Sequence, residues 1–243
     1  MPKPPLFVLM VFLFFGARLA FCELSEEFYG TVYSQDGKTI AWERHEIYKE
    51  GGKVSQIKTL FYRPDSNKLL AVAESYFNRN YFLPDYYFHL LSNDFVARAV
   101  HLGNNLAVLL RKEKDQEFYF KKAYPIRKDM VVGHGFYYYL FDHLEALLEN
   151  PKRKEPVQFL IPNKLSDYIF QMSAEKDPKN NDIAIVTLTP KNPIYQLLTG
   201  KIVVKVDINK KYFLSYEGPN SFLFEGKEVR HVRVDYSNYK KIN

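Results

Sequence analysis

The six histidines are where chemistry would first be sought, because imidazole changes charge near neutral pH and binds metals readily. They are His45, His89, His101, His134, His143 and His231, and they fall in separate strands or turns. Only His134 and His143 stand near one another, on either side of a helix start. His134 with Asp142 or His143 has the donor types to hold a metal or shuttle a proton. Metal sites, however, announce themselves by several ligands at short intervals, so a capping or surface histidine is expected here and no metal.

No other motif signals catalysis. There is no Gly-x-Ser-x-Gly elbow, no His-Glu-x-x-His and no cysteine pair, and Gly133-His134-Gly135 is too short for a phosphate loop. No cofactor is expected. Carboxylate pairs of the glycoside-cleaving kind meet only in the fold and stay open.

The aromatic residues are the other chemically telling group. The chain has 20 Phe and 19 Tyr, in runs such as Tyr76-Phe77, Tyr86-Tyr87-Phe88 and Phe136-Tyr137-Tyr138-Tyr139. Aromatic residues favour strands whether or not a ligand binds there, so most of these rings must be core. Any that face a residual cavity would suit an acyl chain or similar apolar ligand.

The elements that position these groups follow from periodicity. Alternation of period two recurs between turn signals: Phe28–Ser34 and Lys38–Tyr48 flank Asp36-Gly37, and Val54–Tyr62 places Ile57, Thr59 and Phe61 on one face. Leu69–Phe77, Tyr81–Leu91, Phe95–Leu102, Leu106–Arg111 and Glu117–Lys121 continue the rhythm, the last two divided by Lys114-Asp115. Val157–Ile161, Asp167–Ala174, Asp182–Thr189, Lys201–Ile208, Tyr212–Glu217 and Val229–Tyr236 resume it.

Residues 136 to 149 break that rhythm. Phe136, Leu140, Leu144 and Leu147 fall on one face at helical spacing, widened by Phe141 and Leu148, and Pro151 ends the run. A second short helix is expected over Pro193–Leu198, stopped by Gly200. The fold class is therefore mainly β: a single strongly curved antiparallel sheet, a half-barrel of about 11–12 strands, with one or two lid or plug helices on its concave face. If the helices fill that face incompletely, Phe136, Tyr139, Leu140, Phe141 and Leu144 are the candidate ligand-binding residues.

The N-terminus carries an export argument. Lys3 precedes an apolar run from Leu6 to Phe15, no acid appears before Glu23, and the run is short for a membrane span of about 20 residues. Residues 1–22 are read as a signal peptide and 23–243 as one β-rich domain, periplasmic or secreted. Phe21 stands where a lipobox wants a small residue, so ordinary cleavage before Glu23 is expected, removing Cys22; a lipidated Cys22 would tether the chain instead.

Charge excludes little. The net +6 falls to +4 without Lys3 and Arg18, too small an excess to argue nucleic acid. Residues 201 to 243 hold nine Lys or Arg against five Asp or Glu, which reads as a solvated strand face or as a basic hairpin toward an anionic membrane surface.

The chain resembles the periplasmic lipoprotein carrier and acceptor proteins of Gram-negative bacteria and the exported proteins that share their half-barrel. The resemblance rests on the exported start, the hairpin Gly30-Thr31-Val32-Tyr33 to Ile40-Ala41-Trp42-Glu43, and the helix after Gly135. The closing hairpin Val203–Asp207 to Leu214–Gly218, with Val232–Tyr236 behind it, completes the likeness. It implies a curved sheet, a helical lid and non-catalytic binding of a lipid or lipoprotein acyl chain; no partner-binding residue carries across. Two other readings stand beside it: a structural or interaction protein with a filled core, and a hydrolase with dispersed site residues.

Overall fold

The computed structural model describes residues 22–113, 116–220 and 231–242. The signal segment, the Lys114-Asp115 turn and the start of the Val229–Tyr236 strand lie outside them, except that Cys22 is described and exposed.

Hairpins build the sheet from both sides of a seam. The first run is β1 (Glu23–Ser34), β2 (Thr39–Glu50), β3 (Lys53–Tyr62), β4 (Leu69–Tyr76), β5 (Asp85–Leu90), β6 (Phe95–Leu102), β7 (Asn105–Arg111) and β8 (Tyr119–Pro125). After it come β9 (Met130–Val132), the helix α1 (Gly135–Glu149), β10 (Glu155–Ile161), β11 (Ser166–Asp177) and β12 (Asn180–Pro190). The helix α2 (Pro193–Thr199) and β13 (Ile202–Asp207), β14 (Tyr212–Pro219) and β15 (His231–Lys241) complete the order. All the strands belong to one sheet, ordered β8-β7-β6-β5-β4-β3-β2-β1-β15-β14-β13-β12-β11-β10-β9.

Fifteen strands form among the described residues, against about eleven or twelve expected for the half-barrel, and fourteen of them fall on the period-two runs. The strand that periodicity missed is β9, whose residues Met130, Val131 and Val132 are all buried and so carry no alternation. It is also the strand that pairs in parallel, with β10. Parallel neighbours need a crossover, and α1 is that crossover. Its placement on the sheet thus follows from topology as well as from its apolar face.

The sheet is strongly curved and does not close by hydrogen bonding. Its two edge strands, β8 and β9, are joined by only Ile126–Asp129, and the five steps from Pro125 to Met130 span at most about 18 Å. The edges therefore meet at one corner, where Ala97, Ala99, Leu106, Val108 and Tyr124 pack against Met130, Val132 and Leu160. Tyr139, Leu140, Leu144 and Leu147 of α1 are buried against Val157, Phe170, Met172, Val186, Leu188 and Val204, so the helix fills part of the concave face.

Candidate functional site

Between the two halves of the sheet a lumen of about 360 Å³ remains. Val32, Glu43, Phe61 and Tyr86 contribute from one half; Phe159, Phe170, Leu188, Ile202, Tyr216 and Val234 from the other. Phe136 and Gly133 line it at the start of α1. A short 3-10 turn, Pro162–Lys164, borders it with Tyr195 of α2 and Asn220.

The five candidate residues divide by position on the helix. Phe136 lines the lumen, 4.9 Å from the Phe159 ring by centroid. Tyr139, Leu140 and Leu144 are buried in the core beneath the helix, and the Tyr139 hydroxyl donates to the Pro156 carbonyl at 2.5 Å. Phe141 packs against Tyr137 and Phe213, at ring distances of 4.9 and 6.1 Å. The lumen thus opens at the first turn of α1 and draws most of its lining from strands.

One polar chain crosses this concave face. Glu43, His45, Thr59 and Ser75 point inward from β2, β3 and β4, and register aligns them: His45 pairs with Thr59, and Ile57 with Ser75. Glu43 Oε1 lies 2.9 Å from His45 Nε2, His45 Nδ1 2.8 Å from Thr59 Oγ1, Thr59 Oγ1 2.8 Å from His134 Nε2, and His134 Nδ1 2.9 Å from Ser75 Oγ. One set of imidazole tautomers satisfies every bond with Glu43 as the terminal acceptor. Ser75 O–H donates to His134 Nδ1, His134 Nε2–H to Thr59, Thr59 O–H to His45 Nδ1, and His45 Nε2–H to Glu43.

Local backbone makes the chain possible. Gly133 has φ +51°, and a Cβ there would sit 2.4 Å from the Tyr86 ring; at Gly135 it would sit 2.0 Å from the Phe82 carbonyl oxygen. The Gly-His-Gly segment is a close crossing that delivers His134 to β3 and β4. Desolvation, then the neighbouring His45, pushes the His134 imidazole down to about 3, so it is neutral at physiological pH. On the far side of His45, the Phe28 ring stacks at 4.2 Å, with Tyr239 stacked on Phe28 at 4.4 Å.

His134 therefore meets His45 and Ser75 rather than Asp142 or His143. His143 Nδ1 instead bonds the Tyr139 carbonyl at 2.8 Å, with Asp142 3.9 Å away. Among the described residues no three His, Cys, Asp or Glu side chains converge on a metal-sized site. Sequence reasoning missed Glu43, His45 and Ser75 as a group, although period two places Ala41, Glu43 and His45 on one strand face.

No protein-family model matches the chain, and no curated protein matches it. Among solved structures, the chain is similar to a β-barrel-like protein of a domain of unknown function, DUF1849, from Brucella abortus. That similarity has a TM-score of 0.48 at 8% identity and covers 90% of this chain and 98% of that one.

Proposed function

We propose that the protein is a non-catalytic binder of an apolar ligand, an acyl chain or a molecule of similar shape, held in the lumen of the half-barrel. The observation that carries this reading is the lumen itself, walled by Phe61, Phe136, Phe159, Phe170, Leu188 and Ile202. Its volume lies at the lower end of the ~300–1,000 Å³ range of small-molecule sites, which suits one chain rather than a many-chained lipid. The apolar N-terminal segment supports a periplasmic or secreted setting, where such a ligand needs a carrier.

The polar chain brings hydrolysis into consideration, since Ser75 and His134 have the pairing of a nucleophile and its base. Ser75 is 0% exposed, and the lumen lining reaches Glu43 and Gly133 without reaching Ser75. A substrate bond has no approach to Oγ, so the chain serves better as a bridge between helix and sheet.

A basic hairpin facing a membrane has weaker support. Lys205, Lys210 and Arg233 each pair with a nearby acid, Asp177, Asp207 and Asp235. Organic extraction of the purified protein followed by mass spectrometry is expected to release a bound aliphatic compound, and the emptied protein to take up a fluorescent acyl-chain probe. A protein that yields neither result overturns the reading.

A further inference from the structure

The polar lining of the lumen falls into two groups. Asn163, Lys164 and Asn220 lie at the rim, where Lys164 is exposed and its Nζ donates to the Asn220 carbonyl at 3.2 Å. Glu43 lies inside, 5% exposed, among Val32, Val234, Tyr216 and Tyr236. A slot is reserved for it: Gly30 is its partner across β1 and β2, and a Cβ at Gly30 would sit 2.7 Å from Glu43 Oε1.

The carboxylate has acceptor capacity to spare. Two oxygens offer about four acceptor sites, and the hydrogen bond that reaches them among the described residues is from His45 Nε2, at 2.9 Å. Its sole ion-pair partner among the described residues is His45, whose Nδ1 is occupied by the Thr59 hydroxyl. Burying a carboxylate on an apolar wall is costly unless positive charge compensates it. A cation arriving with the ligand offsets that cost, in a lumen that Tyr216 and Tyr236 line beside Glu43.

We propose that the lumen selects an amphiphile headed by a primary ammonium, the head on Glu43 and the aliphatic body along Phe61, Phe136, Phe159 and Phe170. This rests on the binder reading above and names the ligand's charge. A carboxylate head on a chain of equal length meets like charge at Glu43.

The test is calorimetric titration of the purified chain at neutral pH with dodecylammonium, dodecanol and dodecanoate, each below its micelle concentration. Dodecylammonium is expected to bind at least about tenfold more tightly than dodecanoate, as a charge-assisted hydrogen bond allows. The positive net charge, +6 for the full chain and +4 without Lys3 and Arg18, makes this diagnostic, because non-specific surface attraction favours the anion. Glu43→Gln is expected to abolish the preference for dodecylammonium over dodecanoate.

Should that variant fail to fold, as far-UV circular dichroism would reveal, the comparison of the three heads on the unaltered chain still decides. Equal affinities, or tighter dodecanoate, overturn the proposal and leave the binder standing. If none of the three binds, both fall.

Discussion

His134 Nδ1 lies 2.9 Å from Ser75 Oγ across 59 residues of sequence, and the His134 backbone N–H reaches the same oxygen at 3.3 Å. His134 is the N-cap residue of α1. The helix is therefore fastened at its start by polar bonds to β3 and β4, and along its length by the apolar contacts of Leu140, Leu144 and Leu147.

Replacing His134 by alanine leaves the hydroxyls of Thr59 and Ser75 buried with fewer partners, Thr59 being 2% and Ser75 0% exposed. The expected loss is about 1–3 kcal/mol, read as a lower urea midpoint at unchanged slope. Thr59→Val, which cuts the chain at its middle, is expected to cost a similar amount. A His134→Ala midpoint equal to that of the parent would remove the fastening role.

The same imidazole predicts acid sensitivity. Its folded pKa of about 3 lies below the ordinary 6.5. Above 6.5 it is neutral in both states and contributes no pH dependence. As pH falls from 6.5 toward 3 the unfolded chain takes up a proton that the folded chain refuses, so stability drops by at most about 1.4 kcal/mol per pH unit. Denaturation midpoints measured between pH 7 and pH 4 should fall in the parent and fall less steeply in His134→Gln.

Gly133 and Gly135 should tolerate no side chain. Alanine at Gly133 meets the Tyr86 ring and an unfavourable positive φ, a cost of about 1–3 kcal/mol. At Gly135 the obstacle is the Phe82 backbone carbonyl, which cannot swing aside as a side chain does, so Gly135→Ala should lower the thermal midpoint further. Equal midpoints for the two variants would contradict this ordering.

Core and lumen positions on α1 should separate in their effects. Leu140→Ala, at 0% exposure, is expected to lose about 2–5 kcal/mol. Phe136→Ala, at the lumen wall, should lose less stability and weaken uptake of a fluorescent acyl-chain probe. If Phe136→Ala binds the probe as the parent does, the lumen is not where the ligand sits.

Much of this architecture can be read from the chain, and the part that cannot has a common cause. The hairpin at Asp36-Gly37 forms as expected, with Gly37 at φ +81°, and α1 begins one residue before the expected 136 and ends at 149. Those signals are local: a turn residue and a helical period. β9 escapes because three consecutive buried residues have no period. The polar chain escapes because Glu43, His45, Thr59, Ser75 and His134 meet through strand register and a crossover, which no short window contains.

The seam between β1 and β15 sets how the protein folds. It pairs Glu26 with Lys241 and Ser34 with Val232, residues some two hundred positions apart, whereas antiparallel neighbours elsewhere are close in sequence. Each meander can zip by local hairpins, while the seam must wait for closure of nearly the whole chain, the slow class of contact. Weakening the seam with Val234→Ala should slow refolding, whereas Val186→Ala, inside a meander, should mainly speed unfolding. Stopped-flow rates for the pair would show whether this sheet is rate-limited at its centre rather than at its rim.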